Sequence, residues 1–161
     1  NKENNKARLV AGYCWNWDSK KKTDLNDIVI PGHGYAARWN LASEGNTWII
    51  SPTGVEEVGC VHTCQGLEVD TIGVIIGPDL QFRDGQLLAN PTARARSDAS
   101  LKGWRQALAT DPQGTEQRVS RLIRNTYRTL MSRGMKSCWV FACDPDLQVY
   151  LKQRLEMDDL H

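Results

Sequence analysis

The run from Thr71 to Gly77 (TIGVIIG) constrains the fold most strongly, because it is β-branched and almost continuously apolar. Such a run is typical of a central strand that is covered on both faces of a largely parallel sheet. A second apolar run, Ser137 to Cys143 (SCWVFAC), predicts another buried strand. The intervening segment ends in a helical pattern, TEQRVSRLIRNTYRTLMSRGMK, with apolar residues at i, i+3 and i+4 and a stop at Gly134. Strands that alternate with helices predict an α/β fold with a mainly parallel sheet.

Weaker signals predict the remaining elements. Three further strands are predicted at residues 7–15, 47–51 and 55–63. Asp84-Gly85 lies between two apolar runs and predicts a β-hairpin, and a short helix is predicted from about Asp98 to Ala109. Asp144 followed by Pro145 predicts the N-cap and first position of a closing helix, and the polar residues 1–6 are expected to be frayed.

Length, charge and cysteine content limit the function classes. A chain of 161 residues is expected to form one domain with a single core. The net charge of +1 excludes a global basic field, so any contact with nucleic acid must come from a local patch. The sequence has no apolar stretch of about 18 residues, which argues against membrane association. Five cysteines without a secretory signal predict reduced thiols and a cytoplasmic location. The missing initiator Met suggests a fragment of a longer protein.

The segment HTCQGLE, residues 62–68, is the first candidate ligand site. Ligands of open α/β sheets bind beyond the carboxyl ends of strands, and we expect this segment to lie there. Gly66 allows the backbone to approach a ligand or to adopt an unusual dihedral angle, and exposed N–H groups could bind a phosphate oxygen. Glu68 could accept hydrogen bonds from ribose hydroxyls. A plain turn with a capping acid explains the same residues.

Arg133 is the second candidate. It closes the long predicted helix and directly precedes a strand. A guanidinium keeps its charge and presents a fixed fork of donors, so it could stabilise a phosphoryl group in a transition state. An arginine near a helix C-terminus is also favoured by the helix dipole, which needs no ligand.

Two motifs carry a resemblance to a known family. VHTCQGLEVDTIGVII resembles motif V of superfamily 1 helicases, and YRTLMSRGMKSCWVF resembles their motif VI, in the same order. Together with ARLVAGYCWNW and RWNLASEGNTWIISPTGVEEVGCVHTCQGLE, they are similar to the Schlafen group 3-like DNA/RNA helicase family. The resemblance extends from about Ala7 to Leu155.

The resemblance implies a role for each matching residue. Gly66 would lie near the terminal phosphate of ATP with Gln65 beside it, and Glu68 would hold the ribose. Arg133 would be the arginine finger. His62 and Thr63 match positions that face nucleic acid or couple it to the nucleotide site, and Arg128 fits this arrangement poorly.

An absent motif defines which part of the enzyme this chain resembles. The chain has no G-x-x-x-x-G-K-[ST] phosphate loop and no Asp-Glu pair after an apolar strand to hold Mg²⁺. The resemblance therefore implies that residues 1–161 are a single C-terminal RecA-like, three-layer domain. ATP and Mg²⁺ would bind only in the full-length protein, whose N-terminal P-loop domain would be the main partner and nucleic acid a further one. The alternative is a non-enzymatic nucleotide-sensing or protein-interaction module.

A zinc site is the competing interpretation of the same segment. Cys60, His62 and Cys64 alternate, so on an extended strand all three would face one way, and Cys138 and Cys143 could complete the site. Zinc sites usually use closely spaced cysteines on turns, and buried cysteine is common as a small apolar residue. We therefore expect no metal.

Overall fold

A computed structural model describes residues 6–20, 24–40, 48, 50–64, 66 and 68–158. In these residues, six strands form one sheet in the order β2-β3-β4-β1-β5-β8. Their bounds are Ala7–Ala11 (β1), Ile28–Ile30 (β2), Tyr35–Trp39 (β3), Glu57–Gly59 (β4), Val69–Ile76 (β5) and Gly134–Ala142 (β8). Neighbouring strands are parallel except for the antiparallel pair β2 and β3. The predicted α/β fold with a mainly parallel sheet is confirmed.

Strand β5 lies between β1 and β8, as its sequence predicts. Ile72, Val74 and Ile76 point into one apolar cluster, and Ile75 points into the other. The alternation follows from the two-residue period of a strand, and the continuous apolar character of β5 reflects burial on both faces.

Three helices are present in the described part of the chain: α1 (Trp104–Thr110), α2 (Pro112–Met131) and α3 (Pro145–Asp158). Each contributes residues only to the first cluster, among them Trp104, Ile123 and Leu147. The predicted three-layer arrangement is therefore not seen among the described residues, because the helices gather on one face of the sheet.

Local signals predicted the start of α3 and the β-hairpin correctly. The Asp144 Oδ1 atom accepts a hydrogen bond from the Leu147 N–H at 2.9 Å, which confirms the predicted cap of α3. The hairpin is confirmed as β6 (Leu80–Arg83) and β7 (Gln86–Ala89), joined by Asp84 and Gly85 with φ of 50° and 76°. Positive φ at both positions is the requirement of a type I′ turn.

The predicted helix 98–109 is interrupted. Asp98 caps a single turn, Ala99–Leu101, and Gly103 then adopts a φ of 80° before α1 begins. Because α1 is preceded by this left-handed residue, the two pieces do not form one helix.

Several predicted strands are shorter or absent. β1 ends at Ala11, where Gly12 packs directly against Tyr127. The strand predicted at 47–51 is not found at the positions of this segment that the structure describes, 48, 50 and 51. Trp48 lies in a helical turn and is buried in the core, and positions 47 and 49 lie outside the described residues. The prediction for 55–63 holds only for β4, and β2 and β3 were not predicted.

The prediction of a buried strand near Ser137 is wrong in one respect. β8 pairs only with β5 in the described sheet and forms its outer strand, with the side chains of Met135 and Trp139 exposed. The helix also ends earlier than expected: α2 stops at Met131, and Gly134 begins β8 instead of terminating the helix.

Candidate functional site

Glu68 and Arg133 lie side by side at the amino ends of two adjacent parallel strands. Glu68 precedes β5 and Arg133 precedes β8, and Val69 is paired with Gly134 in the sheet. The Val69 N–H donates to the Arg133 carbonyl at 3.0 Å. The expectation that Glu68 and Arg133 lie beyond carboxyl ends is wrong, because each directly precedes its strand; His62 and Thr63, in contrast, follow the carboxyl end of β4.

Arg133 follows Ser132, the C-cap of α2, and is only partly buried. Its Nε donates to the Thr129 carbonyl at 3.2 Å, which ties the base of the guanidinium to the last turn of the helix. Among the described residues, no carboxylate forms an ion pair with this guanidinium. The group therefore keeps a charge that an anionic ligand could use, although the dipole of α2 also favours a cation here.

The loop from Cys60 to Cys64 is a tight turn held by one hydroxyl. The Thr63 Oγ1 atom accepts from the Cys60 N–H at 2.9 Å and donates to the Cys60 carbonyl at 3.0 Å. The Cys64 N–H also donates to that carbonyl, at 3.1 Å. Thr63 therefore maintains the shape of the loop, while His62 is exposed and can contact a ligand or partner.

This turn does not form the zinc arrangement that alternation on a strand would give. Cys60 and Cys64 are each 1% exposed, whereas His62 points to solvent. In the part of the chain that the structure describes, no three His, Cys, Asp or Glu side chains are arranged to hold a metal ion.

Arg133 lies close to the base of this loop. Burial raises the pKa of the Cys64 thiol to about 12, and the nearby Arg133 charge opposes that rise. Cys64 belongs to the apolar cluster on the helix side of the sheet, to which α2 also contributes.

Gly66 has the backbone conformation that glycine favours. Its φ is +74°, it is exposed, and a Cβ added to it would meet nothing within 4 Å. The glycine is thus required by its dihedral angle and not by crowding, and the backbone is open to a ligand. Glu68 is exposed two residues later, whereas Gln65 lies outside the described residues.

The carboxyl end of β5, where a ligand was expected, holds a closed ionic network. Arg94 donates through Nη1 to Asp79 Oδ2 at 3.0 Å and through Nε to Asp98 Oδ2 at 2.7 Å. The Tyr127 hydroxyl donates to the Asp79 Oδ1 atom and accepts from the Gly77 N–H at 2.9 Å. All of these side chains are buried, so the network links the segments that follow β5 and β7 to α2. In the sequence, this network is indicated only by the four-residue spacing of Arg94 and Asp98.

Arg128 lies on the exposed surface of α2. It lines an open groove between α2 and the β6–β7 hairpin, together with Arg121 and Arg124. The helical pattern of the sequence placed these arginines away from the apolar face, and their spacing of three and four residues brings them to one side of the helix.

The fold and the site define an α/β protein with a mainly parallel sheet and an exposed polar cluster at the amino ends of two adjacent strands. The sequence model of the family described as "Schlafen group 3, DNA/RNA helicase domain" matches residues 1–144, and the chain belongs to this family. The suspected family is thereby confirmed.

One curated relative adds a distant comparison. The protein described as "Uncharacterized protein YPL245W" from Saccharomyces cerevisiae is 25% identical over 145 residues, which cover 88% of this chain. The same region spans 30% of that relative. No solved structure is significantly similar to the chain. None of the described helices combines the length and apolar character that crossing a membrane would require.

Proposed function

We propose that this chain is the second, RecA-like motor domain of a superfamily 1 helicase-like ATPase. The observation that carries the proposal is the strand pairing that sets Arg133 beside Glu68 at the amino ends of β8 and β5, with the open, positive-φ Gly66 two residues before Glu68 in the sequence. Membership in a helicase-domain family supports it independently.

Arg133 is the catalytic residue in this proposal. Its guanidinium, tied to α2 through Nε, would stabilise the charge that develops on the transferred phosphoryl group. A fixed, permanently charged fork suits this task, since it needs no reorganisation during the reaction. Gly66 and Gln65 would border the terminal phosphate, and Glu68 would accept hydrogen bonds from the ribose hydroxyls.

The rest of the ATP site would come from a second domain. The sequence lacks a phosphate loop and the acidic pair that holds Mg²⁺, so an N-terminal P-loop domain of the same protein would supply both. The curated relative extends well beyond the matched region, which leaves space for such a domain in that protein. His62, exposed on the loop that leads to Gly66, would contact nucleic acid, and Thr63 would transmit that contact through the loop.

Phosphate release measured with and without single-stranded nucleic acid tests the proposal. We expect no hydrolysis by this chain alone, and hydrolysis that nucleic acid stimulates by the protein that also contains the phosphate-loop domain. Turnover by the isolated chain, free of contaminating ATPase, would contradict the division of the site. A full-length protein that binds ATP without hydrolysing it would favour a nucleotide-sensing module instead.

A further inference from the structure

An open groove on the helix side of the molecule is separate from the cluster at the amino ends of the strands. It has a volume of about 860 Å³ and runs between α2 and the β6–β7 hairpin. One wall carries the arginines of α2, and the other carries Leu87 and Leu88 of β7, with Trp104 of α1 beside them.

The charged wall is a stripe of arginines with regular spacing. Three members, Arg121, Arg124 and Arg128, line the groove, and a fourth, Arg118, lies three residues before Arg121 on α2 and lines a neighbouring pocket; all four are exposed. Steps of three or four residues place them on one side of the helix, over about 15 Å along its axis. This local density of charge contrasts with a chain whose net charge is only +1.

The charges of this stripe are not neutralised within the described part of the chain. None of the four arginines forms an ion pair there with a carboxylate. Arg124 Nη2 donates to the Leu87 carbonyl at 2.6 Å, and Arg118 Nη2 to Thr115 Oγ1 at 3.4 Å. Glu116 is the acidic residue in the groove lining, close to its Arg121 end. Arg121 and Arg128 thus face the groove with their charges available.

The apolar wall offers a surface for flat rings. Trp104 is half-buried, and the Arg105 guanidinium lies 4.7 Å from the centre of its ring system. Leu88 is 44% exposed on the hairpin. An aromatic ring next to a track of cations is the combination that binds single-stranded nucleic acid, because bases stack on rings while phosphates contact the cations.

We propose that this groove binds single-stranded nucleic acid, with phosphates along the α2 stripe and a base against Trp104. An acidic peptide would match the charges but would make little use of the exposed apolar wall. The proposal extends the proposed function, but it rests on residues outside the Gly66–Arg133 cluster. Arg128 lies five residues before Arg133, so the groove and the proposed phosphate contact share one helix end.

Fluorescence anisotropy with a labelled single-stranded oligonucleotide of about 15 nucleotides tests the proposal in the absence of ATP. The test variant is Arg121→Gln/Arg128→Gln, whose side chains have no described hydrogen bond to the protein. The matched control is Lys152→Gln/Arg154→Gln, which removes the same charge from exposed positions of α3.

We expect the α2 variant to reduce the slope of log K against log salt by about 1.4, since each contact with a single strand contributes about 0.7. If the variant and the unchanged protein bind the oligonucleotide equally near 1 M salt, this difference in slope lowers the affinity of the variant about 25-fold at 0.1 M salt. The α3 control should bind nearly as well as the unchanged protein. Trp104→Leu should weaken binding at every salt concentration without changing the slope, provided that its melting curve shows a folded protein.

Three results would overturn the proposal: no binding by the unchanged protein at low salt, equal losses for the α2 and α3 variants, or equally effective competition by a polyglutamate peptide. Because ATP takes no part in the assay, these results do not depend on whether the nucleotide site exists. Conversely, an inactive nucleotide site would leave the binding measurement unchanged.

Discussion

Replacing the buried Arg94 by methionine should destabilise the protein more than replacing the exposed Arg121 or Arg128. Arg94 is 2% exposed in its side chain, and its two partners Asp79 and Asp98 are 0% and 1% exposed. Burial lowers the pKa of Arg94, but the two carboxylate charges outweigh burial and raise it overall. Methionine fills a similar volume but leaves two buried carboxylates without their cation.

The expected loss follows from the geometry of the pair. Removing one partner of a buried ion pair costs about 3–5 kcal/mol, because the remaining charge is uncompensated. A domain is typically stable by about 5–15 kcal/mol, so this loss is a large share of the total. For a chain of this size, 1 kcal/mol shifts the melting temperature by about 2–4 °C, which gives a decrease of roughly 6–20 °C.

Urea denaturation followed by circular dichroism measures this loss, with Arg96→Met as the matched control. Arg96 is exposed, and its described hydrogen bond uses only the backbone N–H, so its replacement should change stability by less than about 0.5 kcal/mol. Adding Asp79→Asn and Asp98→Asn to Arg94→Met should recover part of the loss, since the uncompensated charges are removed. A cost below about 1 kcal/mol for Arg94→Met would refute the reasoning.

Two further predictions concern the glycine turn and acid stability. Gly66→Ala and Gly32→Ala should each lower the free energy of unfolding by about 1–2 kcal/mol, since both glycines have positive φ and open surroundings. Only Gly66→Ala should also weaken ATP binding by the full-length protein. If calorimetry gives equal ATP affinities for the two variants, Gly66 is not part of the site. Burial raises the pKa of Asp98, but the Ser100 hydrogen bonds and the Arg94 charge lower it overall. Burial likewise raises the pKa of Asp144, but its hydrogen bonds with Arg83 lower it overall. A carboxyl whose pKa is lowered in the folded state contributes stability at pH values above its ordinary pKa of about 3.9, and this stability is lost as the pH falls through the lowered pKa. The urea midpoint should therefore drop between about pH 5 and pH 3. A constant midpoint would contradict this prediction.

Elements with strong local signals could be predicted from the sequence. The apolar period of α2, the Asp84-Gly85 turn and the Asp144-Pro145 cap each depend on residues close in the chain, and each was found in the expected place. The run from Thr71 predicted a central strand correctly because burial on both faces leaves a continuous apolar pattern.

Features that depend on distant contacts could not be predicted. β8 has an apolar sequence much like that of β5, yet it is the outer strand, and only the order of the sheet decides this. Trp48 looked like part of a strand because it is apolar, but it is buried from a helical turn. β2 is three residues long and is defined by its pairing with β3.

The roles of the candidate site residues stay a prediction, and the structure bears only on where these residues lie. Gly66, Glu68 and Arg133 could be selected by their spacing and by the family resemblance, and the shared edge of Glu68 and Arg133 follows from the pairing of β5 with β8. Their position at the amino ends was missed, because the rule for open sheets concerns the opposite edge. The network of Asp79, Arg94 and Tyr127 was also missed, since its members come from separate loops and a helix.

The most direct test of the central claim is the steady-state ATPase rate of the full-length protein carrying Arg133→Ala, with ATP affinity measured in parallel. An arginine finger acts on charge that develops in the transition state, so we expect kcat to fall by about 10³–10⁵ while ATP binding is largely kept. Arg133→Lys should not restore the rate, because a point charge on a flexible stem does not reproduce the guanidinium fork. A near-normal kcat for Arg133→Ala, with at most about 0.3–1 kcal/mol of lost stability from the helix end, would contradict the account.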